Sequence, residues 1–138
     1  MAKTATPAMI QTPGWAGTAY TTASSTSTHV TGGADGTKVV SLTAISNSTT
    51  AHVFQLGMST GGAAIPIVSV SITASAGTDG ATAAVDMLSP ALIPGLPVDN
   101  DGQPYLIVPS TSHSLVLTAA AAINTGKQVT FTSIYGSF

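Results

Sequence analysis

Three histidines, His29, His52 and His113, are the only side chains of this 138-residue chain that ordinarily titrate near neutral pH. They fall in separate expected strands or turns. None has a carboxylate at ligand spacing beside it, and the chain has no cysteine, so no local stretch spells out a zinc ligand set. Exposed or edge-strand histidines are the expectation. Serine is so abundant that a match to a Ser/His/Asp set carries no information. Accordingly no catalytic residue and no cofactor site are assigned. Asp99-Asn100-Asp101-Gly102 opens like a calcium loop, with Asp99 and Asp101 as candidate ligands. The complete loop ends in a bidentate Glu, which this chain does not contain, and turns of this composition also form without an ion. A sugar site would set aromatic platforms beside hydrogen-bonding groups; Trp15, Tyr20, Tyr105 and Tyr135 are the candidate rings.

Charge is scarcer than chemistry. Apolar residues make up an ordinary 43% of the chain, but charged residues make up only 6%, against a usual share of about 25%. There is no Arg and no Glu; the charges are Lys3, Lys38, Lys127, Asp35, Asp79, Asp86, Asp99 and Asp101. A free monomer normally relies on a surface of which about a quarter to a third is charged. A Ser, Thr, Ala and Gly surface loses little rotamer freedom and little hydration when covered, which suits burial against other subunits. Three scattered lysines and a net charge of −2 do not provide the clustered cations that nucleic-acid binding requires. No apolar run approaches the ~20 residues of a membrane-spanning helix, and the N-terminal stretch lacks the apolar core of a signal peptide. A soluble product made in a cytoplasm is expected.

The positioning elements read as strands. In residues 37–60, Val40, Leu42 and Ala44 alternate with Val39, Ser41 and Thr43, and Phe54, Leu56 and Met58 alternate with Val53, Gln55 and Gly57. This period of two predicts two strands, and the polar turn Ser46-Asn47-Ser48-Thr49-Thr50 between them predicts a hairpin. Val68, Val70 and Ile72 mark a further half-buried strand, with Pro66 placing its start at an edge or a bulge. Residues 105–108, 114–118 and 128–135 give three more, and the Ser/Thr-rich residues 15–30 one or two edge strands. Together they predict an all-β fold: a single antiparallel β-sandwich or jelly-roll-like barrel.

Two segments stand apart. Residues 1–14, with Pro7 and Pro13 and no periodicity, are expected to be an extended N-terminal arm preceding a sandwich domain over residues 15–138. Residues 74–103 are expected to be one long loop, with a short helical turn available near Ala83 to Leu88; loops of this length are usually functional or disordered. Their apolar residues have no use in a solvated tail, so Met9 and Ile10 from the arm, Trp15 at the start of the domain, and Leu92, Ile93 and Leu96 from the loop are the candidate partner contacts.

Three stretches, TKVVSLTAISNSTTAHVFQL, LIPGLPVDNDGQPYLIVPSTSHSLVL and AAINTGKQVTFTSIYGSF, resemble the small structural proteins of tailed bacteriophages, in particular capsid decoration or cement proteins. The resemblance is one of pattern over residues 32–138. It implies a non-enzymatic β-sandwich on the capsid surface of a virion, assembled in the host cytoplasm. Its partners would be the major capsid protein and further copies of itself, often as a homotrimer, with no membrane, nucleic acid or small-molecule substrate. A phage tail or fibre module and a secreted carbohydrate-binding or adhesin β domain are the alternative readings.

Overall fold

The computed structural model describes residues 12–21 and 26–138. Nine strands form two antiparallel sheets packed as a sandwich, with no helix among the described residues. The strands are β1 Thr12–Tyr20, β2 Thr26–Thr31, β3 Thr37–Ser46, β4 His52–Ser59, β5 Ile65–Ile72, β6 Val85–Asp86, β7 Leu106–Val108, β8 Ser114–Ala119 and β9 Val129–Ser137. The first sheet runs β1-β9-β3, with β6 and β7 both on the far side of β3; the second runs β2-β8-β4-β5. The expected β-sandwich is therefore the observed fold. β1 starts at Thr12, so the last three residues of the expected arm, Thr12 to Gly14, already pair with β9. The rest of that arm lies outside the described residues.

The hairpin expected over residues 37–60 does not form. Both strands are present, but β3 pairs with β9 in one sheet while β4 lies between β8 and β5 in the other. The connecting turn crosses between the sheets and is held by other segments. The Asn47 N–H donates to the Gln128 carbonyl at 3.1 Å, and the Gln128 N–H donates to Asn47 Oδ1 at 2.6 Å. Ser46 and Ser75 N–H groups donate to the Ala76 and Ser48 carbonyls, tying the same turn to the long loop. A period of two fixes which side chains face the core but not which strand lies alongside, so a hairpin and a sheet-to-sheet arch share one pattern.

The inward face of β3 also differs from strict alternation. Leu42 and Ala44 are buried as expected, but Val39, not Val40, is the next core residue. A β-bulge between Val39 and Ser41 inserts one residue against β9, which reverses the alternation and turns Val40 outward. The other faces follow the pattern: Phe54, Leu56, Val70, Ile72, Val129 and Phe131 are buried. Pro66 lies on the edge strand β5 beside an irregularity at Leu56/Gly57, where its missing N–H costs no ladder bond to a further strand.

Three rings cross the interior. Tyr20 of β1 and Phe131 of β9 come from one sheet and Phe54 of β4 from the other, with edge-on centroid separations of 4.9 Å for Tyr20–Phe54, 5.7 Å for Tyr20–Phe131 and 4.7 Å for Phe54–Phe131. The Tyr20 hydroxyl donates to the Leu117 carbonyl of the opposite sheet at 2.5 Å, which satisfies its polar end inside the core. Burial pushes the Tyr20 phenol above its ordinary value, against hydrogen bonding to Ser27, so it remains a neutral donor.

The long loop closes this core instead of reaching away from it. Met87, Leu88, Ile93 and Leu96 are buried in the same cluster and Leu92 packs against it. Where a helical turn was expected, Val85 and Asp86 pair with Ala44 and Thr43 as β6, and the Met87 N–H donates to the Leu42 carbonyl at 2.9 Å. Phe54 is fully buried at the centre of the ring cluster. Replacing Phe54 by Ala is expected to lower the unfolding free energy by about 3–5 kcal/mol in a denaturant titration, and a loss under about 1 kcal/mol would show that the ring is not a core element.

Candidate interaction surface

The residues with chemical potential are dispersed. Exposed or edge-strand histidines were expected: His29 lies on the edge strand β2 but with its side chain buried, and His52, at the start of the interior strand β4, is buried, contrary to that expectation. Each is turned inward and tied by a hydroxyl: His29 Nδ1 lies 2.8 Å from Thr18 Oγ1, and His52 Nε2 lies 2.9 Å from Ser48 Oγ. His113 sits in the turn before β8, its Nδ1 2.8 Å from Ser110 Oγ. Two of these are serine–histidine pairs, but no carboxylate bonds to either ring among the described residues, and Ser48 is buried. No group of three or more His, Cys, Asp or Glu residues is close enough together to hold a metal ion among the described residues.

Gly57-Met58-Ser59-Thr60-Gly61 has the Gly-x-Ser-x-Gly spacing of a hydrolase nucleophile elbow, a spacing not among the expected site residues. That elbow requires a sharp turn from a strand into a helix. Here Ser59 ends β4, pairs across to Ser114 and donates to the Gly62 carbonyl at 3.1 Å. The spacing carries no nucleophile geometry.

The Asp99 carboxylate is already engaged. Its Oδ1 accepts the N–H groups of Gln103 at 2.9 Å and Asp101 at 3.0 Å, and its Oδ2 faces Lys38 Nζ at 3.5 Å. The Gln103 N–H, together with the Asp101 N–H and the Lys38 ammonium, holds this carboxyl below the usual range. Asp99 thus caps its own turn. Asp101 is exposed, and among the described residues neither aspartate belongs to a group of three or more His, Cys, Asp or Glu residues able to hold a metal ion.

Of the candidate contact residues, Met9 and Ile10 lie outside the described residues. Ile93 and Leu96 are buried in the protein's own core, and Leu92 packs against it, which leaves little of the three for a partner. Trp15 is on the surface, 68% exposed. Its surroundings form the most distinctive surface of the molecule, the outer face of the first sheet.

Alternation along β1 sends Ala16 and Tyr20 inward and Pro13, Trp15, Gly17 and Ala19 outward. Trp15 is opposite Ile134 of β9, which is opposite Ser41 of β3, and the bulge places Val40 beside them. Ile134 is 52% exposed and Val40 37%. Two small features support the row. The indole lies over Gly17, where an added Cβ would come within 3.3 Å of the ring. Ser41 Oγ accepts the Ile134 N–H at 3.2 Å beside the bulge. The next row down, Gly17, Thr132 and Thr43, and the one after, Ala19, Thr130 and Ile45, contain no charge. Lys38 and Asp86 stand at the margins of the face. A second, smaller apolar exposure, Ile65 and Ile67, lies on the edge strand β5 of the other sheet.

The backbone is similar to a chain in the acidic stable capsid structure of Helicobacter pylori bacteriophage KHP30. The identity is 12%, the TM-score is 0.47, and the match covers 93% of this chain and 90% of that one. No protein-family model and no curated protein matches the sequence.

The buried histidine on β2 sets a pH dependence. Burial pushes the His29 imidazole below its ordinary value, and its Nε2 has no hydrogen-bond partner among the described residues. The unfolded chain would bind this proton near pH 6.5 while the folded chain binds it only in more acid solution, so stability is lost as pH falls below about 6.5. Asp79 and Asp99, held low chiefly by the Thr82 and Gln103 N–H groups, contribute only near and below about pH 4. The melting temperature is therefore expected to fall between pH 7 and pH 5, and His29→Asn is expected to remove most of that slope. An unchanged slope in the variant would show that His29 does not set it.

Proposed function

We propose that this protein is a non-enzymatic structural protein of a phage virion. In this reading it binds the outer surface of the capsid as a decoration, or cement, protein and stabilises the shell through subunit–subunit contacts. The observation that carries the reading is the exposed Trp15–Ile134–Val40 row on a sheet face whose charges, Lys38 and Asp86, stand only at its margins. An exposed indole beside two exposed aliphatic side chains has the make-up of the centre of an interface, where Trp is enriched and charge is depleted.

The rest of the surface agrees with this. With charged residues at 6% of the chain, covering the Ser/Thr/Ala/Gly surface requires few ions to be desolvated and few long side chains to be ordered. The resemblance of its segments to phage decoration proteins supplies the class of partner: the major capsid protein and neighbouring copies of this chain, arranged as a homotrimer. Repetition on a lattice then converts weak contacts into tight attachment, because each copy held in place raises the effective concentration of the next.

Trp15→Ser tests the reading with little risk to folding, since the side chain lies outside the core. Co-sedimentation with shells of the virion's major capsid protein is expected to weaken by tenfold or more, equivalent to about 1.4 kcal/mol or more, while the melting temperature stays close to that of the unsubstituted protein. Unweakened attachment of the variant would remove this face from the interface.

A further inference from the structure

At one end of the same sheet a separate cleft of about 320 Å³ lies between the Asp99 turn, Tyr105 and the C-terminal Phe138. That volume is at the lower end of the range for ligand sites, about 300–1,000 Å³. Its walls are of two kinds. Tyr105, Phe138, Val98 and Ile107 supply apolar surface, with Val98 52% and Ile107 38% exposed. Lys38, Asp99 and Asn100 supply polar groups on the same cleft.

Two of the polar groups, Lys38 and Asp99, are fixed before any ligand arrives. Residues 98–105 form a tight turn closed by the Val98–Pro104 bridge, by the Asp99 N–H donating to the Gln103 carbonyl at 2.9 Å, and by the Tyr105 N–H donating to the Pro97 carbonyl at 3.0 Å. Gly102 makes the reversal at φ +79°, a conformation that an L side chain rarely adopts. Lys38 Nζ is placed 3.5 Å from Asp99 Oδ2 and 4.5 Å from the centre of the Tyr105 ring. Two sets of contacts therefore locate the ammonium, and two backbone N–H groups locate the carboxylate.

The charge balance narrows the ligand. Lys38 and Asp99 neutralise each other, so the charged side chains that line the cleft favour neither a phosphate nor a metal cation. A purely apolar ligand would strip water from this ion pair and give nothing back. A neutral ligand with one apolar face and several hydroxyl groups satisfies both walls. Its C–H face would lie on the apolar wall of Phe138, Val98 and Ile107, the Tyr105 ring face being taken by the Lys38 ammonium, while its hydroxyls donate to the free lone pairs of Asp99 Oδ2 and the Asn100 carbonyl and accept from the Lys38 ammonium and the Asn100 amide. That is the chemistry of a sugar ring. We propose that the cleft between Tyr105 and the Asp99 turn binds a neutral pyranoside. The proposal goes beyond the assembly role of the Trp15 row and stands or falls separately from it.

The test is an NMR titration of the isotopically labelled full chain with methyl glucoside, galactoside and mannoside, repeated with neutral tetrasaccharides of the same sugars. Saturable shifts at millimolar ligand are expected for at least one of them, confined to the amides of Lys38, Val98, Asp99, Asn100, Tyr105 and Ile107. Asp99→Asn keeps the turn-capping oxygen but removes the charge, and Tyr105→Ala removes the ring that seats the Lys38 ammonium; each is expected to weaken binding about tenfold or more. Asn100→Ala, at an exposed position, is expected to weaken it as well and serves if Tyr105→Ala fails to fold. Trp15→Ser is expected to leave it unchanged. Tighter binding of a tetrasaccharide assigns a polymeric source and equal binding a free sugar, and both support the site. No saturable shift with any sugar, shifts located elsewhere, or undiminished binding by Asp99→Asn and Asn100→Ala would overturn it.

Discussion

The structure depends on one constraint: two sheets must be held face to face by a core with only three buried aromatic rings. Tyr20, Phe54 and Phe131 meet edge-on at 4.7–5.7 Å. Tyr20 reaches the other sheet with both its ring and its hydroxyl, through the bond to the Leu117 carbonyl. Because Tyr20 ends β1, that contact fixes the whole strand against β9, and with it the outward placement of Trp15 five residues earlier. The inner anchor Tyr20 and the exposed Trp15 thus belong to two faces of one strand, related by its period of two.

Much of the fold was legible in the residues. Alternation in Phe54, Leu56 and Met58, in Val68, Val70 and Ile72, and in Val129, Phe131 and Ser133 gave strands with the correct face inward, because each has one buried and one solvated side. Pairing was not legible. The run through β3 and β4 carries the same pattern whether the turn doubles back or crosses to the opposite sheet. What decides is the hydrogen bonding of Asn47 to Gln128, a residue 81 positions away. The Val40 bulge was equally hidden, since an inserted residue reveals itself only against its partner strand.

Function was legible in parts that turned out to behave differently. The apolar content of the long loop was visible, but its destination was not: Ile93 and Leu96 cover the protein's own core. Trp15 carried the clearer signal, a large ring in a stretch of small polar residues, and the structure exposes it. The His29 and His52 side chains are inside because Thr18 and Ser48 hydroxyls meet them there, pairings that no local spacing announces. Lys38, Asp99 and Tyr105 come together only because β3 lies next to β7 and the turn before it, so their cleft had no sequence signature at all.

What connects these observations is a sandwich with a buried aromatic core and an outer sheet face that exposes Trp15, Ile134 and Val40, the face proposed to be covered on assembly. Trp15 is the chain's single tryptophan, so its biosynthetic replacement by 7-azatryptophan, whose emission is separated from that of the tryptophans of the shell, reports on that face alone. The most direct test is its emission spectrum in the free protein and after assembly on the virion shell. The account predicts emission typical of a water-exposed azaindole when free and a shift to shorter wavelength, with protection from a soluble quencher, once assembled. Unshifted emission and full access to the quencher on the assembled particle would contradict it.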